Sequence, residues 1–258
     1  MKRYLYFTYG LIAYGLFLVT YLYAIGFVGN FGVPRTIDGV PQMALGQALL
    51  INLGLLGLFA IQHSVMARPA FKRQWTRIVP KPIERSTYVL LSSVLLLALF
   101  AFWQPLGGMV WNVTQPIAYW TLYGLFALGW LIVLVSTLLI NHFDLFGMRQ
   151  VSLYLLRKPY TPLKFGTPWL YRYVRHPLYV GWFLAFWATP TMTVTHLLFA
   201  GVTTAYILIA IQLEERDLIK EHKQYAAYRK QVPMLIPRVG KRATGIPELA
   251  SELNRQAG

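Results

Sequence analysis

Four stretches of this chain run free of charge for about the length that crosses a bilayer: Tyr4–Val28, Gln42–Met66, Thr87–Trp103 and Ile117–Ile140. A helix needs about 20 mainly apolar residues to span a hydrocarbon core roughly 30 Å thick. A fifth region, Leu178–Leu213, is too long for one helix and is interrupted at Thr189-Pro190-Thr191. It predicts a short helix, a tight turn and a full helix, together a membrane hairpin. From Glu214 the helical spacing continues with a new character. Leu218, Ile219, His222, Tyr225 and Ala226 form one stripe, while Arg216, Lys220, Lys223, Arg229 and Lys230 point elsewhere. That pattern predicts an amphipathic helix ending before Pro233, suited to lie at a membrane surface or to cover a pocket. The expected fold is all-α: a polytopic transmembrane helical bundle with four long spans, a C-terminal hairpin and a terminal amphipathic helix. It forms one domain, with residues 1–140 as scaffold, 141–237 as the site region and 238–258 as a loosely ordered tail.

Composition removes the soluble alternatives. The 258 residues are 56% hydrophobic and 13% charged, against about a quarter charged in an ordinary globular domain. The formal charge of +15 is unevenly placed. The Arg68–Arg85 and Asn141–His176 connections each carry six basic residues and one acidic residue, and the part from Glu214 carries nine and six. The opposite connections, Gly29–Pro41 and Gln104–Pro116, contribute no net charge. With Lys2 and Arg3, all the excess then falls on one side, which by the positive-inside rule is the cytoplasm, with both termini. The basicity therefore needs no nucleic acid; the partner is the lipid bilayer. Trp75 and Phe71 among the bases of Arg68–Arg85 suit anchoring to anionic headgroups. The first apolar segment lacks a clean cleavage site and reads as a retained helix. The chain has no cysteine, which excludes disulfides, thiolate metal sites and a cysteine nucleophile. It has no His-Glu-x-x-His spacing and no Gly-x-Gly-x-x-Gly after a strand, so neither a metal nor a Rossmann domain is expected.

The candidate chemistry lies in two polar clusters that the hairpin returns to one membrane face. One is Tyr171-Arg172-Tyr173-Val174-Arg175-His176-Pro177-Leu178-Tyr179; the other is Glu214-Glu215 followed by Leu218, Tyr225 and Tyr228. Pro177 is a good first helical residue, which makes His176 the N-cap. A helix start there favours an anionic group such as a carboxylate. An acid at the far end of the hairpin can pair with Arg175 or bind an ammonium. Glu214 is assigned to the site, and Glu215 to a solvated face with Lys at i+4 or i+5. Positive and negative poles with aromatics between them suit a zwitterion carrying an aromatic base. The proline-rich connection of about 35 residues before the hairpin exceeds what a connector requires and joins the site. Gln62-His63 is assigned to a helix interface; His63, His196 and His222 are read as structural or solvated. The glycines Gly46, Gly54 and Gly57 are read as helix packing.

Arg175-His176-Pro177-Leu178-Tyr179, Gly181-Trp182, Glu214-Glu215-x-x-Leu218, Tyr225-x-x-Tyr228, Val232-Pro233 and Ile236-Pro237 together resemble the isoprenylcysteine carboxyl methyltransferase superfamily. That group of membrane enzymes includes phospholipid methyltransferases, and the resemblance covers roughly residues 160–237. It implies S-adenosyl-L-methionine as cofactor, held by Lys164, Phe165, Tyr171, Arg175, His176, Pro177, Leu178, Tyr179 and Glu214. One departure matters. Where the carboxyl methyltransferases place an Arg one turn before the Glu, this chain has Ala210, so a prenylcysteine carboxylate lacks its charge partner. The lead-in Gly166-Thr167-Pro168-Trp169-Leu170-Tyr171 also departs from the usual Gly-Pro-Tyr.

The whole chain, including Asn141–Gln150, is most similar to bacterial methanethiol S-methyltransferases. That resemblance implies a small volatile thiol as substrate, dimethyl sulfide as product and a bacterial inner membrane location. The implied reaction is in-line attack of a thiolate on a sulfonium methyl. A cysteine-like thiol has a pKa of about 8.5, so a base or a positive field helps at neutral pH. His142 is the expected proton acceptor and Asp144 its orienting partner. Rival readings are an isoprenylcysteine-type or phospholipid methyltransferase, or a non-catalytic membrane protein retaining the fold.

Overall fold

The computed structural model describes residues 1–163, 165–222 and 224–238. The elements run α1 (Lys2–Gly29), α2 (Leu45–Ala67), α3 (Pro69–Trp75), α4 (Lys81–Phe102), β1 (Met109–Asn112), α5 (Pro116–Ile140), α6 (His142–Leu145) and α7 (Met148–Leu155). A 3₁₀ turn (Trp169–Arg172) leads into α8 (Pro177–Trp187), β2 (Thr191–Thr193), α9 (Val194–Glu221) and α10 (Tyr225–Gln231). Five helices, α1, α2, α4, α5 and α9, are long and apolar enough to cross a membrane. Their outer faces carry exposed Leu11, Leu22, Leu50, Ile61, Ile117 and Leu138. So much exposed aliphatic surface belongs in lipid, where every backbone polar group must be bonded within the helix. The all-α polytopic bundle is the observed architecture.

The hairpin forms as expected, and its depth follows from two contacts. At its tip, β2 pairs antiparallel with β1, Met109 opposite Thr193 and Trp111 opposite Met192, and Val113 N–H donates to Pro190 carbonyl at 2.8 Å. The turn is thereby fastened to the α4–α5 connection. Lower down, α8 lies directly on α5 because both helices present glycine. A Cβ at Gly181 would stand 2.7 Å from the Gly129 carbonyl oxygen, and one at Gly129 only 2.6 Å from Ala185 N. Small residues are what allow helix backbones this close in a membrane. At 11 residues, α8 is about 16 Å long, roughly half a hydrocarbon core. Its first turn therefore opens abreast of the last turns of α5.

Two expectations are corrected. No new helix begins at Glu214: α9 runs unbroken through Glu214 and Glu215 to Glu221, and only the seven residues of α10 form a separate helix. The two short strands joining the connections were not anticipated. The core at the hairpin end gathers Phe27, Leu99, Phe100, Trp103, Phe186 and Phe199. Asn52, fully buried in α2, closes it with a reciprocal pair: its amide donates to Gln104 carbonyl at 2.7 Å and accepts from Gln104 N–H at 2.9 Å. That satisfies backbone groups that the end of α4 leaves free.

Candidate active site

The two polar clusters meet. The strand-like segment before α8 runs beside the C-terminal segment, with Arg175 N–H donating to Pro233 carbonyl at 2.9 Å and His176 N–H to Met234 carbonyl at 3.2 Å. This lays residues 232–235 across the start of α8. Pro177 stands at the first helical position with His176 as N-cap. The cap has no side-chain bond of its own, because the imidazole is engaged elsewhere.

Glu215 is the hub. Its side chain is 2% exposed, and Oε1 accepts from Arg175 Nε at 2.6 Å, from His176 Nε2 at 3.0 Å and from the Tyr225 hydroxyl at 3.3 Å. Arg229 Nε stands 3.0 Å from Oε2, within ion-pair range but out of line for a hydrogen bond. Arg175 also donates through Nη1 to the carbonyls of Arg229 and Val232. The expectation that Glu215 lies on a solvated face is therefore wrong. A buried carboxylate survives only with partners of this kind, and here it joins α8, α9 and α10. Arg175, expected at the cofactor, has its guanidinium committed to this lock.

Glu214 is different. Its side chain is 41% exposed and, among the described residues, accepts one hydrogen bond, from the Tyr179 hydroxyl at 2.9 Å. His176 Nδ1 lies 4.0 Å from it. Of the two neighbouring carboxylates, this one retains lone pairs for a ligand. Around it Tyr171 is half-buried, its carbonyl held by the Tyr228 hydroxyl. Burial first, and the Glu214 charge second, push the Tyr171 phenol well above its ordinary value, so it remains a protonated donor. Phe165 packs against Tyr225, Tyr228 and Leu218, closing the aromatic side. Leu178 follows Pro177 in the first turn of α8. Lys164 lies outside the described residues.

His142 and Asp144 do not form the expected pair. Asn141, not His142 or Asp144, provides the cap of α6, its side chain accepting from Asp144 N–H at 3.1 Å. His142 is buried, with Nδ1 2.9 Å from Thr137 Oγ1 and Nε2 2.9 Å from the Tyr14 hydroxyl. Asp144 instead accepts from Arg149 at 2.8 Å and from the Tyr160 hydroxyl at 3.4 Å. Each side chain fastens a different contact: His142 ties α6 to α1 and α5, and Asp144 ties it to α7 and the following loop. Burial lowers the His142 pKa.

A second polar group was missed. His63 and Ser64 on α2, Tyr88 and Ser92 on α4 and Tyr206 on α9 converge inside the bundle. The Tyr88 hydroxyl is 3.0 Å from both ring nitrogens of His63, and Ser64 Oγ is 3.0 Å from the Tyr206 hydroxyl. Tyr88 lies within electrostatic range of both Tyr206 and Glu214. The available signal was Gln62-His63-Ser64, three polar residues in an apolar helix, matched by Tyr88 and Ser92 one turn apart on another.

Fold and site together define a multi-pass helical membrane protein with a cluster of acids and aromatics at one end of its bundle. No protein-family model matches the chain, and no solved structure matches it significantly. Among curated proteins it is 61% identical over 236 residues to a methanethiol S-methyltransferase of Crocosphaera subtropica, covering 91% of this chain and 92% of the relative. It is 56% identical over 238 residues to one from Mycobacterium tuberculosis, covering 92% and 98%. A third, methanethiol S-methyltransferase 2 of Bradyrhizobium diazoefficiens, is 55% identical over 232 residues, covering 90% and 89%. The chain is thus a membrane methyltransferase. It belongs to the methanethiol S-methyltransferase family.

Proposed function

We propose that this enzyme methylates methanethiol to dimethyl sulfide with S-adenosyl-L-methionine as donor. The observation that carries the cofactor is Glu214: a carboxylate beside half-buried tyrosines, with one hydrogen-bond partner among the described residues. An ammonium is the chemistry such a group meets best. The donor set suits the rest of that zwitterion. α8 begins at Pro177, so the Leu178 amide in its first turn has no acceptor within the helix, and a helix start of this kind suits a carboxylate. Tyr171, Tyr179 and Phe165 supply aromatic faces, and the Tyr171 hydroxyl is a donor. His176 and Pro177 shape this turn, and Arg175 holds it in register through Glu215. Bound, the donor supplies an electrophilic methyl on a positive sulfur.

For the substrate, support comes from the family and from Ala210, which leaves no cation one turn before Glu214. A free carboxylate substrate would have no partner there, whereas a small neutral thiol needs none. Residues 141–237 hold the donor, on a scaffold built from residues 1–140. The distribution of basic residues supports a bacterial inner membrane enzyme with both termini and the site cytoplasmic.

The deciding assay supplies membranes carrying the enzyme with methanethiol and S-adenosyl-L-methionine and follows headspace dimethyl sulfide. Calorimetry on purified enzyme follows donor binding. Donor binding without volatile product, together with methylation of a lipid or prenylcysteine, would replace this substrate. No binding at all would remove the cofactor assignment.

A further inference from the structure

A thiol methyltransferase needs a proton acceptor, and His142 has both ring nitrogens occupied from two sides. His196 likewise serves a structural bond, with Nε2 2.8 Å from Phe186 carbonyl. His63 is held differently. A single group, the Tyr88 hydroxyl, stands 3.0 Å from both of its nitrogens, and one O–H can serve only one of them. The remaining contact is Nδ1 to Ser92 Oγ at 3.4 Å, and Ser92 gives its own proton to Gln62 Oε1 at 3.2 Å. Ser92 is then free to accept from Nδ1–H. With Nδ1–H given to Ser92, the Nε2 lone pair faces the phenol.

Position favours the same atom. Tyr206, Ala210 and Glu214 follow one another at intervals of four along α9, so they share a face at about 6 Å per step. Glu214 marks the ammonium end of the donor site. Tyr206, bonded to Ser64 beside His63, marks the inner end. Ala210 between them leaves room where a longer side chain would close the face. Tyr179, which holds Glu214, is within electrostatic range of both Tyr88 and Tyr206. Phe59 stacks on the His63 ring at 5.1 Å and covers one of its faces. Arg85 lies 5.5 Å over the Tyr88 ring, and Arg68 Nε donates to the Ser64 carbonyl at 3.2 Å. Two cations near the cluster favour a thiolate over a thiol.

We infer that His63 is the general base of the reaction, with Tyr88 as the hydroxyl that guards Nε2 until a small alkyl thiol displaces it. This rests on the thiol-methylation reading above. The S–H bond breaks as its proton passes to Nε2, and the thiol sulfur forms the new S–C bond. The methyl–sulfonium bond breaks with its electron pair left on the donor sulfur, which becomes a neutral thioether. The proton on His63 then leaves to solvent, restoring the neutral ring.

The test uses purified full-length enzyme and the variants H63A, H63Q and Y88F, each checked for thermal unfolding and for donor affinity by calorimetry. Removing a general base lowers turnover by about 10²–10⁴-fold. We expect that loss in kcat for methanethiol with H63A and H63Q, with donor Kd unchanged. A more acidic thiol, such as thiophenol, reduces the need for a base, so both variants should recover to within about tenfold of wild type with it. The shape of the kcat–pH profile should lose its base limb in H63Q. Near-normal kcat with methanethiol, or an equal loss with both thiols, overturns the inference. Should both His63 variants unfold, the decision passes to Y88F. A wild-type-like kcat and pH profile there, with methanethiol, overturns it; an altered base limb with unchanged donor Kd supports it. Wild-type enzyme that binds donor but methylates neither thiol refutes the parent reading instead.

Discussion

Replacing Glu215 with Ala should release the C-terminal segment, although its neighbour Glu214 is the more exposed of the two carboxylates. Glu215 accepts from Arg175, His176 and Tyr225 and pairs with Arg229, at 2% side-chain exposure. Removing one member of a buried ion pair costs about 3–5 kcal/mol, because the remaining charge stays out of water without its partner. Here the uncompensated group is Arg175, 9% exposed. Part of the loss is recovered, since its Nη1 keeps the Arg229 and Val232 carbonyls. A value near the lower end, about 3 kcal/mol, is therefore expected. The loss should be local, because these bonds tie only α8, α9, α10 and residues 232–235 together. At 1.4 kcal/mol per tenfold, opening of that segment should become about 100-fold more frequent. Hydrogen exchange on detergent-solubilised protein should show it as faster exchange in residues 225–235, with α1 to α5 unchanged. Glu215→Gln, which can still accept from Arg175, should lie between. Unchanged exchange in 225–235 for Glu215→Ala would refute the reasoning, since the lock would then hold without its hub.

Glu214→Gln should do the reverse. Loss of one charge-assisted hydrogen bond, about 1.5–3 kcal/mol, should weaken S-adenosyl-L-methionine by about 10- to 150-fold in calorimetry while exchange in 225–235 stays at the wild-type rate. Gly181→Ala should cost about 1–3 kcal/mol, because its Cβ would meet the Gly129 carbonyl at 2.7 Å. It should lower the melting temperature and donor affinity together, whereas Gly54→Ala, with nothing within 4 Å, should leave both unchanged. His142 is held below its ordinary pKa by burial. As pH falls below about 6.5 the unfolded chain takes up a proton that the folded chain refuses, so stability should drop. His142→Gln should flatten that drop between pH 7.5 and 5.5 in thermal unfolding.

The spans were legible because lipid imposes a simple demand: a backbone with no water to bond must be helical and clothed in apolar side chains. Their ends were less so. α4 begins at Lys81, six residues before the uncharged run at Thr87, with Pro82 in its first turn and Glu84 following. A charge count stops at Arg85, although a helix emerging from the membrane simply carries its charges outward. The β1–β2 pairing was invisible because it joins four and three residues separated by the whole of α5 and α8. The deeper polar group was visible only in fragments. His63 in its short polar run, Tyr88 and Tyr206 lie on three different apolar helices, and only packing brings those helices together around them.

The different surroundings of Glu214 and Glu215 come from the phase of one helix. Reading Leu218, Ile219, His222, Tyr225 and Ala226 as a continuous stripe assumes an unbroken helix through His222, yet α9 ends at Glu221 and the chain turns before α10. Phase has to be carried in from the membrane side instead. Ile207 and Ile211 are both buried, and the next residue at that spacing is Glu215. It therefore enters protein, and its charge must be met there, which Arg175 and His176 do. One residue earlier the stripe is Tyr206, Ala210 and Glu214, which meets α2 at Ser64 and α8 at Tyr179. A rotation of about 100° between consecutive residues is enough to make one carboxylate a structural clasp and leave the other open to solvent. Two adjacent acids at the end of a membrane helix thus divide by which aliphatic row precedes each, a distinction available four and eight residues upstream.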